Sequence, residues 1–337
     1  MNRRIICAGI ILCLFFPAGC QSSTKHQEIP SPAAANQSLM EEHKLDNYSV
    51  ITIATGDMSG VYYSLGQAIA DTYEKNSRKA VAAQVTNASI QNTELVSQKE
   101  AELGFASVDV LNRTGTSKGA ANINKIRALT GLYSNYVHIV TSEKSGIKEL
   151  SDLDGKRISV GTEGSGTKLI AERTLSAAGL SDTVHKYELS FSQSSDALRN
   201  GIIDAAFYSS GLPNPEISEI SGYNTGVKLV PIPEKIVNEL TKRYGFYTPK
   251  IIPADTYSNI NHDTMTISVR NVLLTHVDLS NKEAYDLVHF FYTHLSELQK
   301  IHPAAKEIQL QNAKIGIPIA FHPGAQTYYS DEEIHHD

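Results

Sequence analysis

The sequence predicts an α/β fold, in which short strands alternate with helices. The first indication is the segment 49–76, where an apolar run at 50–54 is followed by three glycines and then by apolar residues at helical spacing. The second is the segment 146–180, which repeats the order of strand, glycine loop and helix. The third is the continued alternation of β-branched and amphipathic runs, which favours a largely parallel sheet covered by helices on both faces.

The glycine turn at 55–60 predicts a site for a small ligand. A turn from strand to helix lies at the carboxyl end of the strand, where the helix N-terminus presents unpaired N–H groups and a partial positive charge. An ordinary structural turn is the alternative interpretation of this segment. Tyr62 and Tyr63 adjoin the turn, and because adjacent helical positions face different ways, one is expected to face the ligand and the other the core.

The elements follow in order from apolar periodicity and helix-end signals. After the opening strand and helix, the expected strands or β-branched runs are 81–85, 102–107, 126–132, 136–141, 157–160, 202–208, 229–232 and two runs within 263–277. Expected helices start after a polar N-terminal region at 87–89, at 108, near 150, after the loop 161–167, and at 192, and a long amphipathic helix covers 282–301. Pro213 and Pro215 are expected to exclude a helix where they stand.

The first 20 residues have the pattern of an export signal. Arg3 and Arg4 precede an apolar run at 5–16, which is shorter than the roughly 20 residues that span a bilayer. The tetrapeptide 17–20 resembles a bacterial lipobox, so we expect Cys20 to be lipidated; a plain secretory signal is the alternative. Residues 21–48 lack hydrophobic periodicity and are expected to be a flexible tether.

Composition restricts the function of the exported domain. The three cysteines of the chain, Cys7, Cys13 and Cys20, all lie inside or at the end of the leader, which excludes a disulfide, a thiolate nucleophile and a cysteine metal site in the rest. The leader contains two arginines and no acid, so its removal leaves 28 basic and 36 acidic residues, a formal charge of −8. This charge argues against a nucleic acid partner, which needs a basic face.

The loop 161–168 resembles a phosphate loop but has the wrong order. Thr167 stands where the lysine is required, and moving the lysine one position along a helix turns it by about 100°. Backbone N–H groups and the hydroxyls of Ser165 and Thr167 still suit a smaller anion, so we expect a carboxylate rather than a nucleotide. Neither a dinucleotide fingerprint nor a zinc-protease motif is present, and we expect no cofactor and no metal.

Five segments resemble the TAXI family of solute-binding proteins, the receptors of TRAP transporters. They cover nearly all of 49–333 in the family's order: ITIATGDMSGVYYSLGQAIA (51–70), ELGFASVDV (102–110), GIKELSDLDGKRISVGTEGSGT (146–167), LRNGIIDAAFYSSGLPNPEISEI (198–220) and IPIAFHPGAQTYYSDEE (317–333). Residues 57–61 depart from the first-loop sequence usual in the family. The segment 322–325 also matches, and is expected to be a structural turn.

The resemblance implies a type II periplasmic-binding-protein fold, two α/β lobes with a ligand cleft between them. We expect lobe 1 to comprise 49–134 and 255–337 and lobe 2 to comprise 135–254, with crossings near 133–136 and 252–256. The implied ligand is a small carboxylate or amino acid such as glutamate, glutamine or 2-oxoglutarate. The implied ligand-binding residues are Thr55, Ser59, Gly60, Val61, Tyr62, Asn87, Ser89, Ser107, Asp109, Ser165, Gly166, Thr167, Ser209, Ser210 and Gly211.

Three functions fit these observations. In the first, a lipoprotein on the extracytoplasmic side captures the ligand and delivers it to a TRAP-type permease, touching the membrane only through its lipid anchor. In the second, the same lipoprotein reports the ligand to a membrane sensor. In the third, the fold carries an enzyme, for which Asp57, Asp109 and Glu163 are the candidate general bases.

Overall fold

The fold is described from a computed structural model for residues 50–77, 79–112, 122–222 and 226–335. The predicted signal peptide, the lipidation site Cys20 and the tether 21–48 lie outside the described residues. Residues 48–337 form one compact unit. The α/β fold predicted from the sequence is confirmed, since strands and helices alternate along the described chain.

A sheet of ten strands forms the centre of this unit. The strands are β1 (Ile51–Ala54), β2 (Val81–Gln84), β3 (Leu103–Ser107), β4 (Ile126–Ser142), β5 (Arg157–Ser159), β6 (His185–Tyr187), β7 (Ala205–Ser210), β8 (Val227–Leu229), β9 (Tyr247–Ile252) and β10 (Thr264–His276). Their order is β2-β1-β3-β10-β4-β7-β5-β6, with β8 paired to β4 and β9 to β10.

The sheet is mixed, so the expectation of a largely parallel sheet is wrong. The sets β2-β1-β3 and β7-β5-β6 are each parallel. Between them, β10 pairs antiparallel with β3 and β4, and β4 pairs antiparallel with β7. The two runs expected within 126–141 form the single 17-residue strand β4, and those within 263–277 form β10. The first predicted lobe crossing, 133–136, therefore lies inside a continuous strand.

Ten α-helices flank the sheet in the described residues. They are α1 (Val61–Ser77), α2 (Ser89–Gln98), α3 (Val108–Leu111), α4 (Gly166–Ala177), α5 (Phe191–Arg199), α6 (Pro215–Gly222), α7 (Glu234–Arg243), α8 (Asn281–Thr293), α9 (Leu295–Ile301) and α10 (Pro323–His335). Short 3₁₀ helices cover Ile123–Lys125, Glu143–Ser145, Leu150–Leu153, Pro303–Glu307 and Leu310–Asn312. Among the residues described, no helix is both long and apolar enough to cross a membrane.

Several helix ends differ from the expectations. The helix expected over 282–301 is divided at His294 into α8 and α9. Pro215 begins α6, because a proline at the first helical position gives up only an N–H that would be unpaired there. The expected turn at 322–325 is instead the start of α10, where the Gly324 amide donates to His322 Nδ1 at 3.2 Å. Helix α2 is preceded by Ala88 at φ 71°, without a side-chain cap.

The buried apolar side chains lie in two main groups. One group packs α1, α8 and α10 against the strands β1–β3 through residues such as Leu65, Phe105 and Val288. The other packs α4 and α7 around β5 and β7 through residues such as Ile158, Leu175 and Phe207. Strands β4 and β10 contribute to both groups, so the centre of the sheet is shared.

Candidate functional site

A cavity of about 340 Å³ lies where the two parallel strand sets face each other. The segments that follow β1 and β2, with the end of β3, supply one side of its lining, and those that follow β5 and β6, with the end of β7, supply the other. The middle of β4 contributes Tyr133 and Asn135. Ligands of α/β proteins bind outside the carboxyl ends of strands, which is where this cavity lies.

Four helices begin at the cavity. Its lining includes the first residues of α1, α2, α4 and α5, all of which are at least nine residues long. In α4, the Ser165 hydroxyl accepts from the Lys168 amide, while no acceptor contacts the Gly166 and Thr167 amides within the described structure. Four helix N-termini give this cavity a positive potential, which suits an anionic group.

Hydrogen bonds join the two sides of the cavity. The Ile90 and Gln91 amides in the first turn of α2 donate to the carbonyl oxygen of Gly164, at 3.0 and 3.2 Å. Gly164 lies in the loop after β5 and has φ +77°. A Cβ on the neighbouring Gly166 would lie 2.7 Å from Ser107 Oγ, so the loop approaches β3 as closely as a glycine permits.

A buried polar network lies along the cavity wall. Tyr62 Oη donates to Asn271 Oδ1 at 2.6 Å, and Asn271 Nδ2 donates to Asn135 Oδ1 at 2.8 Å. Ser89 Oγ lies 3.4 Å from Tyr62 Oη and accepts from the Ser107 amide at 3.1 Å. The chain of bonds occupies Asn135 Oδ1 and holds this lining residue in one orientation at the cavity wall.

Tyr62 is the tyrosine that faces the site. Its ring stacks on Phe105 with centroids 5.1 Å apart and meets Tyr133 edge to face at 6.4 Å. Burial raises the pKa of Tyr62 well above its usual value, so the hydroxyl stays protonated and donates. Tyr63 is half-buried and absent from the lining.

Most of the ligand-binding residues expected from the sequence come together in this lining. They are Gly60, Val61, Tyr62, Asn87, Ser89, Ser107, Ser165, Gly166, Thr167, Ser209 and Ser210. All of them follow strands or end one, which is why the positions of strands in the sequence could locate them.

Thr55 and Ser59 lie outside the lining. Thr55 is fully buried, and its hydroxyl donates to the Gln84 carbonyl oxygen at 2.6 Å, which ties β1 to β2. Ser59 uses its amide and hydroxyl to bind Asp57 Oδ1 at 2.9 and 2.6 Å. Both side chains therefore stabilise the first loop without facing the cavity.

Asp109 and Gly211 are also outside the lining. Asp109 is fully buried, and its Oδ2 accepts from Tyr247 Oη at 2.9 Å and lies 3.5 Å from Arg173 Nη1. Burial raises the pKa of Asp109, an effect that the nearby Arg173 charge opposes. Gly211 is packed so tightly that a Cβ would lie 2.6 Å from Ala304 Cβ.

Sequence reasoning missed part of the site. Asn135 and Tyr133 carry no local signal, because they sit inside a long buried strand. A capping box is the sequence signal that could have located Ser190, Phe191 and Ser192. In it, Ser190 Oγ accepts from the Gln193 amide, and the Gln193 side chain accepts from the Ser190 amide. The other missed lining residues are Val85, Thr86, Ala88 and Thr162, whereas Gly56, Asp57 and Met58 belong to the glycine turn that predicted the site.

The lining contains one ionisable acid and no lysine, arginine or histidine among the residues described. Lys168, in the first turn of α4, is held by Glu163 and by Glu188 Oε1, the latter at 2.8 Å. Glu163 and Asp109 lie outside the lining, so of the three candidate general bases only Asp57 borders the cavity. Among the described residues no cluster of three or more His, Cys, Asp or Glu side chains is placed to hold a metal ion. The arrangement is therefore suited to binding through amides and hydroxyls.

Comparison with known proteins gives a family match over most of the chain. The model of the NMT1-like family matches residues 53–332. The alkanesulfonate-binding protein SsuA from Xanthomonas axonopodis pv. citri, solved with MOPS, is 17% identical over 75% of this chain and 73% of its own, with a TM-score of 0.42. The arginine-, lysine-, histidine-binding protein ArtJ from Geobacillus stearothermophilus is 11% identical over 77% of this chain and 94% of its own, with a TM-score of 0.48. At these TM-scores the similarities say nothing about the ligand of this chain.

Proposed function

We propose, on the premise that this chain belongs to the NMT1-like family of periplasmic solute-binding proteins, that it captures a small organic anion and delivers it to a membrane permease. Family membership makes the chain an extracytoplasmic solute-binding protein. The carboxylate ligand, the type of permease, the lipid anchor and the absence of catalysis are proposals that go further.

The observation that carries the proposal is the meeting of four helix N-termini at one cavity. The backbone amides of Gly166 and Thr167 offer hydrogen bonds, and the described lining contains no cationic side chain. Such dipoles bind a carboxylate and release it without breaking a buried ion pair. The bonds from α2 to Gly164 join the two sides directly, which supports a cavity that encloses its ligand.

Calorimetry of the soluble domain with amino acids and dicarboxylates tests this proposal. Gly166→Ala should weaken binding at least tenfold, because the added Cβ would collide with Ser107 Oγ and hold the two sides apart. Gly245→Ala is the matched control, since its Cβ would meet nothing within 4 Å. The proposal fails if no compound binds at millimolar concentration, or if Gly166→Ala binds as tightly as Gly245→Ala.

The partner we propose is a TRAP-type permease, because five segments resemble TAXI receptors. An ABC-type permease is the alternative for a solute-binding protein. Uptake by the reconstituted permease should stop when ion gradients are collapsed and continue without ATP; the opposite result assigns the ABC class. If deletion of the protein leaves uptake of labelled ligand unchanged, the sensing role is favoured over transport.

We also propose a lipid anchor at Cys20, on the sequence of the leader alone. Cys20→Ser should move the protein from the membrane fraction to the soluble exported fraction and abolish labelling with a fatty acid. Membrane association that survives this substitution would refute the anchor.

A further inference from the structure

The cavity lining combines the partial positive charge of four helix N-termini with one full negative charge, that of Asp57. A ligand whose only charged groups are carboxylates is attracted by the helix N-termini but repelled by the Asp57 carboxylate. The charge at position 57 therefore bears on which solutes the proposed receptor accepts.

The Asp57 carboxylate is held in a fixed orientation. Its Oδ1 accepts from the amide and the hydroxyl of Ser59, and its backbone carbonyl accepts from the Gly60 amide at 2.9 Å. Its Oδ2 has no hydrogen-bond partner among the described residues. Asp57 is a half-buried residue of the cavity lining, so the loop leaves one oxygen of a lining carboxylate without a partner in the described structure.

A second acid lies near Asp57, outside the cavity lining. Glu216, near the start of α6, is half-buried and close enough to Asp57 for the two charges to interact. Burial raises the pKa of the Glu216 carboxyl; hydrogen bonds from Ser195 and Ser59 oppose this effect, and the charges of Glu219 and Asp57 add to it. The nearest lysine of α4, Lys168, is engaged by Glu163 and Glu188 and does not neutralise this pair.

The combination favours a ligand that carries both charges. A carboxylate can accept from the α4 amides, while an ammonium group close to Asp57 Oδ2 gains a charged hydrogen bond. A second carboxylate in the same place would meet a like charge in a site of reduced dielectric constant. We expect each effect to change affinity roughly 10- to 100-fold after desolvation is included.

We propose that Asp57 binds an ammonium group of the ligand, so that the receptor selects zwitterionic amino acids over dicarboxylates and keto acids. This inference rests on the proposed function and narrows its ligand class. Because residues 57–61 depart from the usual first loop of the TAXI family, the selection belongs to this chain's own sequence.

Calorimetry with amino acids and their des-amino analogues, including L-glutamate against glutarate and 2-oxoglutarate, tests the proposal. The wild-type domain should bind its best amino acid at least tenfold more tightly than the matching des-amino acid. Asp57→Asn keeps an oxygen for Ser59 and removes the charge, so it should lose most of this ratio. Glu216→Gln should reduce the ratio by a smaller factor, and Asp182→Asn, an exposed acid outside the lining, should leave it unchanged.

The outcomes separate this inference from the proposed function. Equal or tighter binding of the des-amino acid by the wild type overturns the role of Asp57 and leaves the receptor function standing. An unchanged ratio in a folded Asp57→Asn protein, checked by circular dichroism, also overturns it. Failure of every compound to bind overturns the receptor function and the inference together.

Discussion

Replacement of Tyr62 by phenylalanine tests whether the buried network shapes the cavity. The hydroxyl donates to Asn271 Oδ1 at 2.6 Å and lies 3.4 Å from Ser89 Oγ. Removing it leaves the buried Asn271 acceptor unpaired, which costs about 1–3 kcal/mol of unfolding free energy. The ring contacts with Phe105 and Tyr133 remain, so the fold should persist.

The same substitution should weaken ligand binding. Without the Tyr62 hydroxyl, the Asn271 side chain loses one of its partners, and Asn271 in turn binds Asn135 Oδ1 in the cavity lining. If the loss of the fixed Asn135 orientation removes about 1 kcal/mol of binding free energy, the affinity falls roughly fivefold. Urea denaturation measures the stability change, and calorimetry with the best ligand measures the affinity.

Tyr63→Phe is the matched control for both measurements. It removes the same atom from the next residue, which is half-buried, lies outside the lining and has no hydroxyl hydrogen bond in the described structure. We expect its unfolding free energy and affinity to stay close to wild type. If the two variants show equal stability and equal affinity, the network does not have the role inferred for it.

Two further predictions concern ionisable side chains that are buried in the folded domain. Burial lowers the pKa of His138 to about 4, below the value of about 6.5 in an unfolded chain, so neutral imidazole is favoured by folding. The resulting contribution to the free energy of unfolding, about 3 kcal/mol, is complete above pH 6.5 and is lost as the pH falls towards 4. His138→Gln should therefore flatten the dependence of the urea-derived unfolding free energy on pH between these values. A slope identical to that of the wild type would contradict this prediction. Arg173→Met should destabilise the domain by about 3 kcal/mol, because Asp109 is left buried without its cation. Adding Asp109→Asn should recover part of that loss, and a double variant less stable than the single one would refute the explanation.

Local sequence was sufficient for much of the fold and for one part of the site. Strand and helix periods follow from which side chains are apolar, and the glycine turns at 55–60 and 161–167 mark where strands give way to helices. These positions, together with the segment resemblance, located loop residues such as Ser107 and Thr167, which the structure brings into one lining. The mixed sheet was not foreseen, because strand direction depends on how β4 and β10 pair across more than 100 residues.

Tertiary structure alone decided which side chains face the cavity. Asp109 and Thr55 follow or end strands as the lining residues do, yet the side chains of both make hydrogen bonds on the core side and do not line the cavity. Asn135 has no distinguishing neighbours in sequence, and it is held in the lining by the side chain of Asn271, 136 residues away. Sequence determines a residue's chemistry and local conformation, but the direction of a side chain depends on contacts that exist only once distant segments have packed together.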